Sequence, residues 1–207
     1  MSLLRIWSMF LTPLENTKEQ FRCQIEAAKK AEIYEHLFLA FGTLLGFVRE
    51  GSIIGHDSDM DLGIFSDKID VENISVYINE IESKGLFKYR KLIQYNPITQ
   101  KAFWVSCKNT PEKQGYKCCH WFMFEHKGYM WHHKGNNARI KGIPTLYLQQ
   151  GEEVEFLGQK VHIPKYPGSC LDYWYPDWII PRKGGNSYGI DLIVKDWSNE
   201  SKWTIKR

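Results

Sequence analysis

Three aspartates alternate along the chain at Asp57, Asp59 and Asp61. In an extended strand alternate side chains point to one face, so these carboxylates would crowd together and repel. A divalent cation removes that repulsion, and oxygen-only ligands suit Mg²⁺ or Mn²⁺. The apolar Met60 and Leu62 follow the same alternation on the other side. The pattern therefore indicates a metal-binding strand at a sheet surface, and a solvated acidic loop is the alternative.

The pair Gly42-Thr43 lies between an apolar run at residues 37–41, which predicts a buried strand, and a predicted short helix at residues 44–49 that Gly51 ends. A glycine here lets the backbone approach a phosphate, to which N–H groups at a helix start and the Thr43 hydroxyl donate hydrogen bonds. A phosphate-binding turn followed closely by a metal-binding strand is the arrangement that phosphoryl transfer needs. An ordinary strand-to-helix turn is the alternative.

The same two segments resemble the LicD/fukutin family and the wider nucleotidyltransferase superfamily, in which a Gly-Ser/Thr turn precedes an Asp-x-Asp strand. The resemblance is carried by Phe41-Gly-Thr-Leu-Leu-Gly-Phe-Val-Arg49, then Gly51, Ile54 and Asp57-Ser-Asp-Met-Asp61. A second stretch, residues 156–164 and 170–178, is similar to the family's later Phe-Leu-Gly hairpin and its tryptophan-containing ending. The resemblance covers roughly residues 36–181.

The resemblance implies a metal-dependent transferase with a CDP-linked small-molecule donor. Phosphocholine or a polyol phosphate would move from the donor to a cell-surface glycan or its glycolipid precursor. Gly42 and Thr43 would touch the donor's phosphates, and Arg49 would lie near them as a charge partner. The alternatives are nucleotidyl transfer to another acceptor, and a catalytically impaired nucleotide-binding protein.

The resemblance also implies the metal ligands. Asp59 and Asp61 would be the Asp-x-Asp pair, and Asp57 matches the first acid of the family's run. Relatives carry a further aspartate on a later strand, and here the corresponding position in His-Trp-Phe-Met-Phe is His120. We expect residues 118–133 to form a hairpin that places His120 beside the two aspartates. A histidine there can act as a base at neutral pH or bind a softer metal.

Zinc is the less favoured cofactor. Six residues of zinc-ligand type lie between positions 118 and 133. They are Cys118, Cys119, His120, His126, His132 and His133. The segment has no CxxC spacing, and closed zinc sites normally pair their ligands at short, fixed spacings. We therefore expect Mg²⁺ or Mn²⁺ rather than zinc.

The composition of the whole chain narrows the class of protein. Its 207 residues suit a single domain over 1–207, and 43% hydrophobic residues suffice for a core. The net charge of +3 gives no reason to expect duplex nucleic acid as a partner. No run approaches the ~20 apolar residues of a transmembrane segment. With no cleavable leader recognised and five irregularly spaced cysteines, the sequence favours a cytoplasmic location.

The hydrophobic pattern predicts an α+β fold, with a small mixed β-sheet flanked by helices and a β-hairpin-rich C-terminal half. The resemblance implies that this sheet is nucleotidyltransferase-like. Besides the helix at 44–49, helices are predicted at residues 17–35, capped by Thr17 and Gln20, and 73–83. Further strands are predicted at residues 62–65, 87–93, 102–107, 121–125, 129–132, 154–156 and 160–163. The C-terminal part, residues 166–207, is rich in Pro, Gly, Trp and Tyr, and we expect its order to depend on packing against the rest of the chain.

Overall fold

The computed structural model describes residues 13–55, 57, 59–85, 87–89, 104–109, 118–134, 140–175, 177–181, 191–194 and 203–206. Within these ranges the α-helices are α1 (Pro13–Lys30), α2 (Phe41–Glu50), α3 (Val71–Ser83) and α4 (Pro167–Trp174). The strands are β1 (Leu37–Leu39), β2 (Asp59–Phe65), β3 (Phe87–Tyr89), β4 (Trp104–Asn109), β5 (Cys118–Lys127), β6 (Met130–Lys134), β7 (Ile140–Pro144), β8 (Gln150–Phe156), β9 (Gln159–Pro164), β10 (Asp191–Val194) and β11 (Trp203–Lys206).

Seven of these strands form a mixed sheet in the order β8-β9-β1-β2-β5-β4-β3. The pairs β9–β1 and β2–β5 are parallel and the other pairs are antiparallel. From the far half of β5 the sheet continues through β6, β7, β10 and β11. The predicted mixed α+β fold is confirmed. No helix in the described ranges is long and apolar enough to cross a membrane.

The central strands β2 and β5 bury one face, and their first residues carry polar side chains on the other, as period-2 alternation requires. Met60, Leu62 and Trp121 are fully buried on the core face. There the Tyr77 hydroxyl of α3 and the Trp121 indole N–H both donate to Gln24 Oε1 of α1, at 2.7 Å and 3.2 Å. This buried network fixes α1 and α3 against the core face and leaves the opposite face to the functional side chains.

Gly63 in β2 lets the neighbouring strand β1 approach closely, because Phe38 pairs with Gly63 and lays its ring over it. A Cβ at position 63 would lie 2.2 Å from Phe38 Cζ. Phe38 is buried and packs on Phe65 with ring centroids 4.5 Å apart, so its ring has no room to move.

We therefore expect Gly63→Ala to lower the free energy of unfolding by about 1–3 kcal/mol, the usual cost of overpacking a core. Urea denaturation of the purified protein measures this. Gly55→Ala is the control, because a Cβ there meets no atom within 4 Å. Equal stability of the two variants would contradict the close packing.

Two predicted helix starts are wrong. The helix predicted from residue 17 already runs from Pro13, because proline is tolerated in a first helical turn. Thr17 and Gln20 therefore lie inside α1 and are buried, so they are not a capping box. Helix α2 begins at Phe41 rather than at residue 44, which places Gly42 and Thr43 in its first turn. Its predicted end at Gly51, with φ +64°, is confirmed.

The predicted hairpins are confirmed, with turns at residues 128–129 and 157–158. The sequence analysis missed α4, β7, β10 and β11. Helix α4 lies in a segment rich in Pro, Gly and Tyr, and Pro167 occupies its first turn. The strands predicted at residues 87–93 and 102–107 correspond to β3 and β4, and residues 90–103 lie outside the described residues.

Candidate metal and phosphate site

The parallel pairing of β2 with β5 assembles the polar face of the sheet. In this register Asp59 pairs with Cys118 and Asp61 pairs with His120. His120 Nδ1 lies 3.1 Å from Asp59 Oδ2 and 3.3 Å from Asp61 Oδ1. The structure thus has the juxtaposition of His120 with both aspartates that the family resemblance implies.

The first turn of α2 is fastened to Asp61 at two points. The Gly42 N–H donates to Asp61 Oδ2 at 3.3 Å. The Asp61 N–H donates to Thr43 Oγ1 at 2.8 Å, and Thr43 is buried. The helix start and the acidic strand therefore form one unit, with the positive end of the helix dipole beside a carboxylate.

Phe41 adopts φ +42° at the junction between β1 and α2, a conformation that strains a bulky side chain. Its ring is held by Phe122 and Trp174, with centroids 4.6 Å and 4.4 Å away. This packing offsets the strain and sets the direction in which α2 leaves the sheet. Such strain is common at functional sites, where the surrounding structure maintains it.

Asp57 precedes β2 and completes the acidic group from the side of α2. A Cβ on Gly42 would lie 2.8 Å from Asp57 Oδ2 and 3.4 Å from Asp61 Oδ2. The Gly42 Cα therefore faces two carboxylates directly. Glycine is required here because a side chain would occupy the space between the helix start and the acids.

Hydrogen bonds to the carboxylates favour the protonated form of His120. Burial alone would lower the pKa of His120, but hydrogen bonds to Asp59, Asp61 and Cys118 outweigh it and raise this pKa to about 12. The bond from His120 holds the pKa of Asp59 below its usual range. Burial raises the pKa of Asp61 despite that same partner. A cation that takes His120 as a ligand must displace the imidazolium proton.

One further residue near the site was missed by the sequence analysis. Tyr175 follows α4, and burial raises its pKa well above the usual value, with further increases from the nearby Asp61, Asp57 and Asp59. Tyr175 lies in the second stretch of the family resemblance, and that match was the feature of the sequence that could have indicated it.

Cys118 also lies at the site, although the sequence analysis named it only among the six residues of zinc-ligand type. One ligand atom each from Asp59, Cys118 and His120 lie within 4.8 Å of one another. The available signal was the two-residue spacing of Cys118 and His120, which puts both on one face of β5. Cys119 is buried on the opposite face, and His126 Nε2 lies 3.1 Å from Thr145 Oγ1. The side chains of His132 and His133 lie outside the described residues.

Arg49 lies at the other end of α2 from the acidic group. It follows Gly42 by seven positions, which is about 10 Å along the helix axis. Its guanidinium pairs with Glu50 and donates to the Trp178 carbonyl at 3.4 Å. These contacts join α2 to the segment after α4, and the contact of Arg49 with donor phosphates stays a prediction.

Paired aspartates on a central strand, beside a Gly-Thr helix start on a mixed sheet, define a nucleotidyltransferase-like domain. The chain matches the family model described as LicD/FKTN/FKRP, nucleotidyltransferase domain, over residues 35–166. It therefore belongs to this family, whose members transfer phosphate-linked groups and are typically metal-dependent. The matched region contains β1, α2, β2 and β5, which carry the site. No curated protein matches the chain with significance.

Gly42→Ala tests the space in front of the carboxylates. We expect it to weaken Mn²⁺ binding by roughly 10- to 100-fold, as when a group that supports metal ligands is lost. The new Cβ would displace Asp57 and disturb Asp61. Isothermal titration of the metal-free protein measures the effect. Gly168→Ala, in the first turn of α4 with open space around it, is the control. Unchanged Mn²⁺ affinity in Gly42→Ala would remove Gly42 from the site.

Proposed function

We propose that this chain transfers phosphocholine or a polyol phosphate from a CDP-activated donor to a hydroxyl group of a cell-surface glycan or its glycolipid precursor. The observation that carries the proposal is the in-register pairing of β2 with β5, which brings Asp59, Asp61 and His120 together beside Gly42. Family membership supports the class of group transferred. As the sequence suggests, we also propose that the chain forms a single domain, acts in the cytoplasm and does not bind duplex nucleic acid as a partner.

We assign the cation to the three aspartates. Asp57, Asp59 and Asp61 offer the oxygen ligands that Mg²⁺ or Mn²⁺ prefers. The carboxylates are close enough to repel, and His120 is the cationic partner that compensates them in this structure. The residues therefore fit a divalent cation. When bound, it would neutralise charge on the donor's phosphates.

The chain's own groups have distinct tasks in the proposed reaction. The first turn of α2 presents the positive end of its dipole to the donor's phosphates at Gly42. Thr43 fixes the backbone of Asp61, and its predicted contact with phosphate stays a prediction. Tyr175, just after α4, lies near enough to the three aspartates for their charges to raise its pKa.

The transfer itself forms one phosphorus–oxygen bond and breaks another. The acceptor hydroxyl oxygen attacks the phosphorus of the transferred group, the bond to the second phosphate breaks, and CMP leaves. The hydroxyl proton passes to water or to a basic side chain of the site. His120 Nδ1 faces the carboxylates rather than open space. This orientation supports a role in cation binding more than acceptance of the hydroxyl proton by that nitrogen.

A thermal-shift screen tests the proposal. CDP-choline, CDP-ribitol, CDP-glycerol and nucleoside triphosphates are each added with and without Mg²⁺ or Mn²⁺. We expect one CDP-linked compound to raise the melting temperature only with a cation, because a ligand at about 100 times its Kd stabilises by about 2.7 kcal/mol. The compound that binds is then incubated with acceptor glycans, and released CMP is measured.

The controls separate the alternatives. Asp61→Asn should abolish the cation-dependent shift. A shift with nucleoside triphosphates alone would favour nucleotidyl transfer to another acceptor. Cation-dependent binding of a CDP-linked compound without CMP release on any acceptor would favour a nucleotide-binding protein. A lack of any nucleotide-dependent shift would overturn the proposal.

A further inference from the structure

We infer that Cys118, His120 and Asp59 form a mixed sulfur, nitrogen and oxygen site for a borderline divalent cation of the Zn²⁺ or Co²⁺ class. This site shares Asp59 with the oxygen-ligand site proposed for Mg²⁺ or Mn²⁺. It concerns cation binding by the resting protein, so it stands whether or not the transfer reaction does.

The geometry comes from the pairing of two adjacent strands. Asp59 and Cys118 are direct partners in the parallel register, and His120 follows Cys118 by two residues on the same face of β5. His120 Nδ1 is 3.1 Å from Asp59 Oδ2, and ligand atoms of all three residues lie within 4.8 Å of one another. Ligand atoms around a tetrahedral zinc ion lie roughly 3.5 Å apart. The separations of these ligand atoms are therefore within about 1.3 Å of those that a tetrahedral site requires.

The chemistry of the three ligands selects the cation. A thiolate and an imidazole are soft or borderline ligands, which suit Zn²⁺ and Co²⁺ and are poor ligands for Mg²⁺. Three protein ligands also leave one tetrahedral position open, as in catalytic zinc sites rather than structural ones. A water molecule or a phosphate oxygen can occupy that position.

The surroundings leave this site accessible and Cys118 available. Cys118 is partly exposed and forms no disulfide. The His120 side chain is 13% exposed and that of Asp59 is 31% exposed, so the ligands are enclosed but reachable from solvent. The adjacent Cys119 is fully buried on the other face of β5. Cys119 therefore serves as a matched control for Cys118, because its thiol is adjacent in sequence but lies on the other face of the strand.

Cobalt titration tests the inference. The full-length protein is stripped of metal with a chelator, the chelator is removed, and Co²⁺ is added in steps. We expect a near-ultraviolet thiolate-to-cobalt charge-transfer band that saturates at one ion per chain. Zn²⁺ should abolish the band by displacement, and an excess of Mg²⁺ should leave it in place.

Variants show which thiol is involved. Cys118→Ser should abolish the charge-transfer band, whereas Cys119→Ala should keep it. Far-ultraviolet circular dichroism and melting curves check that both variants fold. If wild type shows no such band, or if Cys118→Ser retains it, the inference is overturned. A cobalt band in a protein that binds no CDP-linked compound would leave this inference standing and reject the proposed function, so the two failures are distinguishable.

Discussion

Asp61→Ala and Asp59→Ala are each expected to lower the rate of group transfer by about 10³-fold or more. The removal of a cation ligand withdraws charge stabilisation worth several kcal/mol, and ~1.4 kcal/mol corresponds to a tenfold change in rate. Asp61 should show the larger loss, because it also accepts the N–H of Gly42 and thereby positions the first turn of α2.

The fold of these variants should remain intact. Each substitution removes one member of a repelling carboxylate pair, which favours stability. The loss of one partner of His120 acts in the opposite direction, but the other aspartate remains within 3.3 Å. We therefore expect unfolding free energies within about 1 kcal/mol of wild type.

Steady-state CMP release at saturating donor and cation measures the rate, and urea denaturation measures stability. Glu155→Gln removes one carboxylate from the exposed strand β8 and serves as the control. Near-normal turnover in either aspartate variant would show that the cation does not bind at β2. A large loss of stability would show that the carboxylates are structural.

Local sequence patterns predicted the parts of this site that depend on strand alternation. The spacing of Asp59 and Asp61 required only strand alternation, whereas the family resemblance implied that His120 lies beside them on a later, adjacent strand. The structure has that pairing, with Asp61 opposite His120. The end of α2 at Gly51 could likewise be predicted from local sequence, because the left-handed backbone conformation there favours glycine.

The remainder of the site depends on contacts distant in sequence. Tyr175 reaches the acids only because α4 packs near α2, where Trp174 contacts Phe41. No periodicity of residues 167–174 indicates that contact. The start of α2 at Phe41 was missed for the same reason, since aromatic packing holds its unfavourable φ of +42°. Propensity alone disfavours this conformation, and tertiary contacts override it.

His120 can be examined through the free energy of unfolding as well as through activity. In the metal-free protein its pKa is raised to about 12 by Asp59, Asp61 and Cys118. A raised pKa stabilises the fold fully below the unfolded-state value of about 6.5, and this contribution is lost as the pH rises toward about 12. The difference in unfolding free energy between wild type and His120→Asn should therefore be largest near pH 6 and shrink in alkali. An equal difference at all pH values would show that His120 is not engaged with the carboxylates.

His120→Asp is expected to change which cation supports transfer, while His120→Ala loses about 10²-fold in rate with every cation. A carboxylate is a hard ligand, so aspartate beside Asp59 and Asp61 should raise activity with Mg²⁺ relative to Mn²⁺ and Co²⁺. Transfer rates and cation affinities, measured in parallel for the three cations, give the comparison. His126→Ala, a substitution of a histidine farther along β5, is the control.

If His120 were instead the base, the wild-type rate would rise with pH across the histidine range. In that case His120→Ala would lose this rise and ~10²- to 10⁴-fold in rate while its cation affinity stayed unchanged. A His120→Ala variant that lost the pH dependence of the rate but kept its cation affinity would therefore reject a role of His120 in cation binding.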